Sequence, residues 1–172
     1  MVDLAWLRST PWRERVAAAF DSPRRRPELK AISGVTVRHR EDSLASALLF
    51  CGWLGSRLGW QPGSLSQASN RWSGTAHTRR QDIKIKLEPV RQDAPGLAGV
   101  TIDIASGQSV SLDRSPGGLI AGRRERDGTE RQWQVMGASR GEGGILGEGV
   151  RQALLRDPTY RPALACAQDM AA

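Results

Sequence analysis

The stretch Asp82-Ile83-Lys84-Ile85-Lys86-Leu87-Glu88 alternates strictly between charged and apolar residues. Because successive side chains of a β-strand point to opposite faces of its sheet, this pattern predicts a strand with one buried and one solvated face. Residues 100–104 and 110–112 continue the alternation, and residues 105–108 between them read as a turn. The middle of the chain is therefore expected to form the sheet.

A hairpin is predicted around Asp127-Gly128, a dipeptide typical of tight β-turns. A two-residue loop would place Arg124 opposite another arginine. A three-residue loop with Gly128 in the left-handed conformation pairs Arg124 with Glu130 instead. Like charges directly opposite each other destabilise a sheet, so the sequence favours the three-residue loop.

Helices are predicted before, within and after this strand-rich region. Thr10-Pro11 is typical of a helix start, and an apolar stripe with a spacing of four residues follows it. Residues 44–58 are apolar on nearly every face and are bounded by Gly59, which predicts a buried central helix with a glycine cap. Asp157-Pro158 again has the pattern of a helix start, so we expect a final helix there.

The order of these elements predicts an α+β fold. We expect a mainly antiparallel sheet of about five strands, covered by helices from the N-terminal, central and C-terminal segments. Residues 61–81 show no clear periodicity and are predicted to be a long irregular loop. The 172 residues suffice for one domain with its own core, so 1–172 is expected to be a single domain.

The chain is basic, with a net charge of +7 that arises from 22 arginines and 3 lysines against 18 acidic residues. Arginine makes planar, two-pronged contacts with carboxylates and phosphates, which favours an acidic protein surface or a nucleic acid as partner. A solvated basic surface is equally compatible with this composition. Residues 22–30 and 123–131 hold the densest arginine clusters.

Localisation and redox chemistry are constrained only loosely. No apolar run reaches the roughly 18 residues that a membrane span requires, and the start of the sequence lacks secretory-signal features, so we expect a cytoplasmic protein. Cys51 and Cys166 are too few and too far apart for a zinc site or a disulfide framework. Redox switching by either thiol remains open, with Cys166 expected to be the more accessible.

No catalytic motif is found. His39 and His77 are the only histidines, and neither belongs to a metal-binding or nucleophile pattern. The glycine-rich residues 137–144 could hold an anion or could simply connect two elements. We therefore expect a protein that is not an enzyme and that needs no cofactor or metal.

Six tryptophans, several with arginine neighbours, are the most distinctive feature. Tryptophan and arginine are enriched at binding hot spots, but tryptophan is also a large core residue. We expect Trp53 to lie in the core, and both interpretations stay open for Trp6, Trp12 and Trp60. The candidate partner-binding residues are Trp6, Arg8, Trp12, Arg13, Arg57, Trp60 and Trp72.

These residues also carry a family resemblance. Asp3-Leu4-Ala5-Trp6-Leu7-Arg8, Thr10-Pro11-Trp12-Arg13-Glu14 and Phe20-Asp21 resemble the DLxWxRxxxWRE…FD segment of the glucose-6-phosphate dehydrogenase assembly proteins (OpcA). Residues 48–60, which include LLFCGWL and RLGW, resemble a helix of that family, and residues 154–160 resemble its closing segment. The resemblance spans essentially the whole chain.

The resemblance implies a non-catalytic protein that binds glucose-6-phosphate dehydrogenase and promotes its active oligomeric form in the oxidative pentose phosphate pathway. It also implies that the chain corresponds to the family's C-terminal domain, with the usual N-terminal domain absent. The alternative function is a basic nucleic-acid-binding module, which the charge supports but which no recognised motif accompanies.

Overall fold

The computed structural model describes residues 3–136 and 157–172. The glycine-rich residues 137–144 lie outside the described residues, as does a helix that the sequence predicts after them, ending at Arg156. All structural statements below concern the described part of the chain.

A mixed sheet of nine strands forms the centre of the described residues. Its order is β2-β4-β5-β1-β6-β7-β8-β9, with β3 paired to β4; β1 and β5 are parallel, and all other neighbours are antiparallel. The strands are β1 Ile32–Arg40, β2 Gln61–Pro62, β3 Ser66–Ala68, β4 Arg71–His77, β5 Asp82–Val90, β6 Leu97–Ile104, β7 Ser109–Ser115, β8 Gly118–Arg124 and β9 Glu130–Met136.

The helices pack against the apolar face of this sheet. They are α1 Leu4–Arg8, α2 Thr10–Ala19, α3 Leu44–Leu58 and α4 Tyr160–Ala171, with a 3₁₀ helix at Arg26–Ala31. Helix α3 lies across β1 and β5, α4 packs on α3, and α2 contacts β7. The register places Val35, Ile85 and Ile102 side by side on this face, and all three are at most 1% exposed.

The expected fold class, α+β with a mainly antiparallel sheet, is confirmed, but the expected number of about five strands is too low. The difference arises mainly in residues 61–81, which form β2, β3 and β4 rather than an irregular loop. In β4 the core-facing positions include Gly74 and Ala76, opposite Ile85 and Ile83. A Cβ at Gly74 would lie 2.7 Å from the Leu65 side chain, so the strand has no room for the large apolar residues that signal alternation.

Two local predictions are confirmed in detail. Helix α3 spans Leu44–Leu58 and ends at Gly59, whose φ of 67° is the left-handed cap conformation. In the β8–β9 hairpin Arg124 pairs with Glu130, and Gly128 has a φ of 86°, as the three-residue loop requires. The Arg124 and Glu130 side chains form an ion pair at 2.8 Å.

Candidate partner-binding site

The N-terminal tryptophan and arginine motif meets the start of α4. The Trp6 Nε1 atom donates a hydrogen bond of 3.0 Å to Asp157 Oδ2. The Arg13 guanidinium lies 3.4 Å from the centroid of the Trp6 ring, and its Nη1 atom is 3.7 Å from the same Asp157 oxygen. One carboxylate thus receives both the indole N–H and the arginine charge, while the arginine covers the indole face.

Tyr160 and Asp3 complete this group. The Tyr160 hydroxyl donates to Asp3 Oδ2 at 2.9 Å, and the Trp6 and Tyr160 rings are 5.3 Å apart. Asp3 also accepts from the backbone N–H groups of Ala5 and Trp6, so it caps α1 at the same time. We refer to Asp3, Trp6, Arg13, Asp157 and Tyr160 together as the clasp.

Within the clasp, Arg13 and Asp157 form a charged pair that is largely shielded from solvent. Burial lowers the pKa of Arg13 to about 10, and the charges of Asp157 and Glu14 oppose this change, so Arg13 stays protonated at neutral pH. Burial by itself would raise the pKa of Asp157, but hydrogen bonds from Thr159 and Trp6 and the charge of Arg13 outweigh it and lower this pKa. Both groups are therefore ionised when they meet.

The remaining residues of the N-terminal motif also pack inside the protein or along it. Trp12 is 2% exposed in the main core, where the Arg114 guanidinium lies 5.8 Å from its ring centroid. Arg8 is half-buried next to Gly96. Of the two alternatives for Trp6 and Trp12, the structure shows core packing. Direct contact of these residues with a partner stays a prediction.

The candidates from the central helix and the sheet lie outside the clasp. Trp60 is 6% exposed and follows the cap of α3, where its N–H bonds to Gly55 O. Arg57 is exposed on the last turn of α3. Trp72 is half-buried on β4 and packs against the main core, as does Trp53 on α3. Arg57 is therefore the most exposed candidate, and Trp72 is less buried than Trp6, Trp12 and Trp60.

The two cysteines lie on α3 and α4, and both are free and buried. Cys166 is the more accessible of the two thiols, as expected, but its exposed fraction is only 8% because α4 packs that side against α3. Burial, with the nearby Cys166, raises the pKa of Cys51 to about 12, and burial and Asp169 raise the pKa of Cys166. Because the thiolate is the reactive form, this setting opposes redox chemistry, and the redox role stays a prediction.

Sequence reasoning did not include the polar partners of the motif among the candidates. Asp3, Asp157 and Tyr160 belong to segments that carry the family resemblance, but the hot-spot criterion selects tryptophan and arginine only. A usable signal was present, because Asp157-Pro158 and Asp3 both have the pattern of helix caps. A capping aspartate beside a buried indole is a natural acceptor for its N–H.

The described residues hold neither a cluster suited to a metal ion nor a helix suited to a membrane span. Residues 3–136 and 157–172 contain no group of three or more His, Cys, Asp or Glu side chains placed to hold a metal ion. None of the helices seen in these ranges is long and apolar enough to cross a membrane.

Comparisons with solved structures returned only partial similarities. A dehydrogenase from Chromobacterium violaceum aligns with 98% of this chain and 60% of its own, at 12% identity and a TM-score of 0.46. The transcriptional regulator Gal80p from Kluyveromyces lactis aligns with 96% of this chain and 55% of its own, at 9% identity and a TM-score of 0.49. Similarities at this level carry no functional conclusion.

Sequence comparisons are more informative. A protein of Nostoc punctiforme named OxPP cycle protein OpcA is 42% identical over 102 residues, which are 59% of this chain and 21% of that protein. Its namesake from Synechococcus elongatus is 37% identical over 102 residues, 59% of this chain and 22% of its own. The aligned region thus spans about a fifth of the length of these relatives.

The family model for the C-terminal domain of the OpcA-type glucose-6-phosphate dehydrogenase subunit matches residues 1–164. The chain therefore belongs to the OpcA family of glucose-6-phosphate dehydrogenase subunits, as its tryptophan and arginine motifs indicate.

Proposed function

We propose that this domain is a non-catalytic subunit that binds glucose-6-phosphate dehydrogenase and promotes its active oligomeric form. The observation that carries the proposal is the family match over residues 1–164, because the family is described as a subunit of that enzyme. The names of the curated relatives place them in the OxPP cycle, which is consistent with the same metabolic role.

The clasp supports a structural rather than a chemical role for the family motif. Trp6, Arg13 and Asp157 contact one another through a hydrogen bond, an ion pair and a cation–π contact, so their polar groups are already engaged within the domain. Such an arrangement holds α1, α2 and α4 in fixed positions without leaving a nucleophile or a base beside an open cleft. The domain then serves the enzyme as a preorganised binding surface.

Activation by such a subunit requires only differential binding. If the domain binds the active form of the dehydrogenase tenfold more tightly than the inactive form, it shifts the population between the two by about 1.4 kcal/mol. No cofactor or covalent step is needed on the side of the domain. The proposal therefore concerns an equilibrium between enzyme states.

The test combines purified chain and the glucose-6-phosphate dehydrogenase of the same organism. We expect analytical ultracentrifugation to show a complex heavier than the enzyme alone, and steady-state assays to show a higher kcat/KM for glucose 6-phosphate. The chain without the enzyme should give no turnover, which tests its non-catalytic character. Absence of a complex, together with salt-dependent binding to duplex or single-stranded DNA, would favour the nucleic-acid alternative.

If a complex forms but the kinetics of the enzyme do not change, the dehydrogenase is still the partner, and the proposed activation is wrong. A variant with Arg13 replaced by leucine provides a matched control for folding. It should lose activation only to the extent that its folded fraction, measured in the same buffer, decreases.

A further inference from the structure

Three connected segments form one end of the sheet. Gln81, in the turn between β4 and β5, donates from Nε2 to the Ile32 carbonyl at 2.6 Å, which ties this turn to the 3₁₀ segment. Arg25 pairs with Glu125 of the β8–β9 loop at 3.6 Å. The turn at 78–81, the segment at 22–31 and the loop at 125–129 are therefore contiguous, and we refer to them as the basic rim.

Internal cations neutralise the glutamates of the basic rim. Arg123 is 5% exposed, and it donates to Glu28 and, from Nε, to Glu125 at 3.1 Å. Gln108 approaches the same two carboxylates at 3.4 Å each. The negative charge of both glutamates is thus balanced by arginines within the protein and contributes little to the field outside it.

The aspartates at this end are also engaged. Asp21 pairs with Arg26, and Asp82 contacts His77 Nδ1 at 2.7 Å. Asp127 accepts the backbone N–H of Thr129 within its own loop. Only Asp21 is paired with an arginine, so Asp82 and Asp127 partly offset the exposed cations of the basic rim.

Five exposed cations of the basic rim have no ion pair among residues 3–136 and 157–172. They are Arg24, Lys30, Arg79, Arg80 and Arg126. The turn that carries Arg79 and Arg80 is rigid, because the Thr78 hydroxyl accepts the N–H groups of Arg80 and Gln81 and donates to the Gln81 carbonyl. The cations therefore project from an ordered scaffold, which reduces the entropy lost on binding.

We propose that the basic rim docks onto an acidic surface of glucose-6-phosphate dehydrogenase. This inference rests on the proposed function and names the surface through which it acts. The supporting argument is charge complementarity. The guanidinium group of arginine matches the geometry of a carboxylate, and a cluster of arginines without internal ion pairs is complementary to an acidic surface. Burial of these cations against carboxylates of the enzyme would supply the charge pairs that the domain itself does not provide.

The composition of the basic rim favours a protein partner over a nucleic acid. Residues 22–31, 78–81 and 125–129 contain no aromatic side chain on which a base could stack. Electrostatic docking of this kind mainly accelerates association and makes it sensitive to salt.

The test is a charge reversal with a matched control. The rim variant carries Arg79→Glu and Arg80→Glu, and the control carries Arg15→Glu and Arg91→Glu. The control arginines lie away from the basic rim on α2 and after β5, are also exposed, and give the same change in net charge. Arg91 does face Glu41 at 3.8 Å, but an ion pair as exposed as this one contributes little to stability. Dissociation constants for the dehydrogenase are measured by biolayer interferometry at low and at moderate salt, after thermal unfolding has shown that both variants fold.

We expect the rim variant to bind at least about tenfold more weakly at low salt, with the loss mainly in the association rate and smaller at moderate salt. The control should change affinity by less than about threefold. Equal weakening by both variants, or no effect of the rim variant, overturns the assignment of the surface while the binding of the unmodified chain still supports the proposed function. Failure of the unmodified chain to bind counts against the proposed function itself. Tighter binding of the unmodified chain to duplex DNA than to the enzyme, lost in the rim variant, overturns the protein partner.

Discussion

The clasp and the basic rim use the same residue type in opposite ways. In the clasp the Arg13 guanidinium is buried between an indole ring and a carboxylate, and its side chain is 9% exposed. In the basic rim Arg79 and Arg80 are exposed and find no ion pair in the described chain. The first arrangement stabilises the domain, and the second leaves charge available to another molecule. A family motif can thus mark the residues that hold a fold together, while a partner is met elsewhere.

The comparison also shows why composition alone misleads. Tryptophan with arginine resembles a binding hot spot, yet Trp6 and Trp12 are at most 3% exposed. Hot spots and cores use the same physics, because both bury large rings beside satisfied polar groups. Only the position of the partner group, inside or outside the chain, separates the two.

The largest effect is expected from Arg13→Leu. This change removes the charge opposite Asp157 and the hydrogen bonds to Ser9 Oγ and Thr10 Oγ1. We expect the free energy of unfolding to fall by about 3 kcal/mol, as measured by urea denaturation. Arg15→Leu, on the exposed side of the same helix, should change it by less than about 0.5 kcal/mol. Similar losses for both variants would remove the distinction between clasp and surface arginines.

A smaller loss of stability is expected from a substitution at the contact between α3 and α4. In an exposed helix, alanine in place of glycine stabilises by roughly 1 kcal/mol. At Gly52 a Cβ would collide with the carbonyl oxygen of Ala163 and lie 2.9 Å from the Ala167 nitrogen. We expect Gly52→Ala to destabilise the domain by about 2 kcal/mol.

Gly55→Ala is the control for this pair of helices, because there the one close contact of the Cβ would be with the Cys166 sulfur, at 2.7 Å, which belongs to a side chain and not to the backbone. Calorimetry should therefore show the larger fall in Tm for Gly52→Ala. A fall of equal size for Gly55→Ala would mean that the backbone approach at Gly52 is unimportant.

The ionisation of the clasp predicts a pH dependence. The pKa of Asp157 is lowered in the folded state, although burial opposes this, because Thr159, Trp6 and Arg13 stabilise the carboxylate. A lowered folded-state pKa contributes stability that is fully present above the unfolded-state value of about 4 and is lost as pH falls below it. The stability difference between the parent chain and Asp157→Asn should therefore shrink measurably between about pH 6 and pH 3. A constant difference over this range would show that Asp157 does not titrate as part of the clasp.

The smallest effect is expected in the basic rim. Arg79→Glu with Arg80→Glu should leave the free energy of unfolding within about 0.5 kcal/mol of the parent chain, because neither side chain has an internal partner to lose among the described residues. Urea denaturation on the same samples used for binding gives this value. A loss above about 1 kcal/mol would show that the rim arginines also support the fold, and the contrast with the clasp would weaken.

Elements defined by local patterns were predictable from the sequence. The alternation at 82–88, the apolar helix at 44–58 and the hairpin loop around Gly128 all depend on residues close in the chain, and the structure confirms them. Strand β4 was not predictable, because Gly74 replaces a large core residue where Leu65 fills the space. Its alternation exists in the structure but not in hydrophobicity.

The candidate site was predictable only in part: Trp6 and Arg13 were among the candidates, but their polar partners and the arrangement were not. Trp6 and Asp157 are 151 positions apart, and no local pattern indicates that they share a hydrogen bond. The basic rim likewise depends on which acids are neutralised internally. Glu28 and Glu125 look available in the sequence, and only the tertiary structure places Arg123 between them.

The long sequence separation within the clasp has a consequence for biosynthesis. Asp3 and Trp6 are synthesised about 150 residues before their partners Tyr160 and Asp157. Until then the indole N–H and the Arg13 guanidinium lack their carboxylate, and the first two helices have no α4 to pack against. The clasp can therefore close only after residues 157–160 have been synthesised, whereas the packing of α2 on β7 does not depend on them.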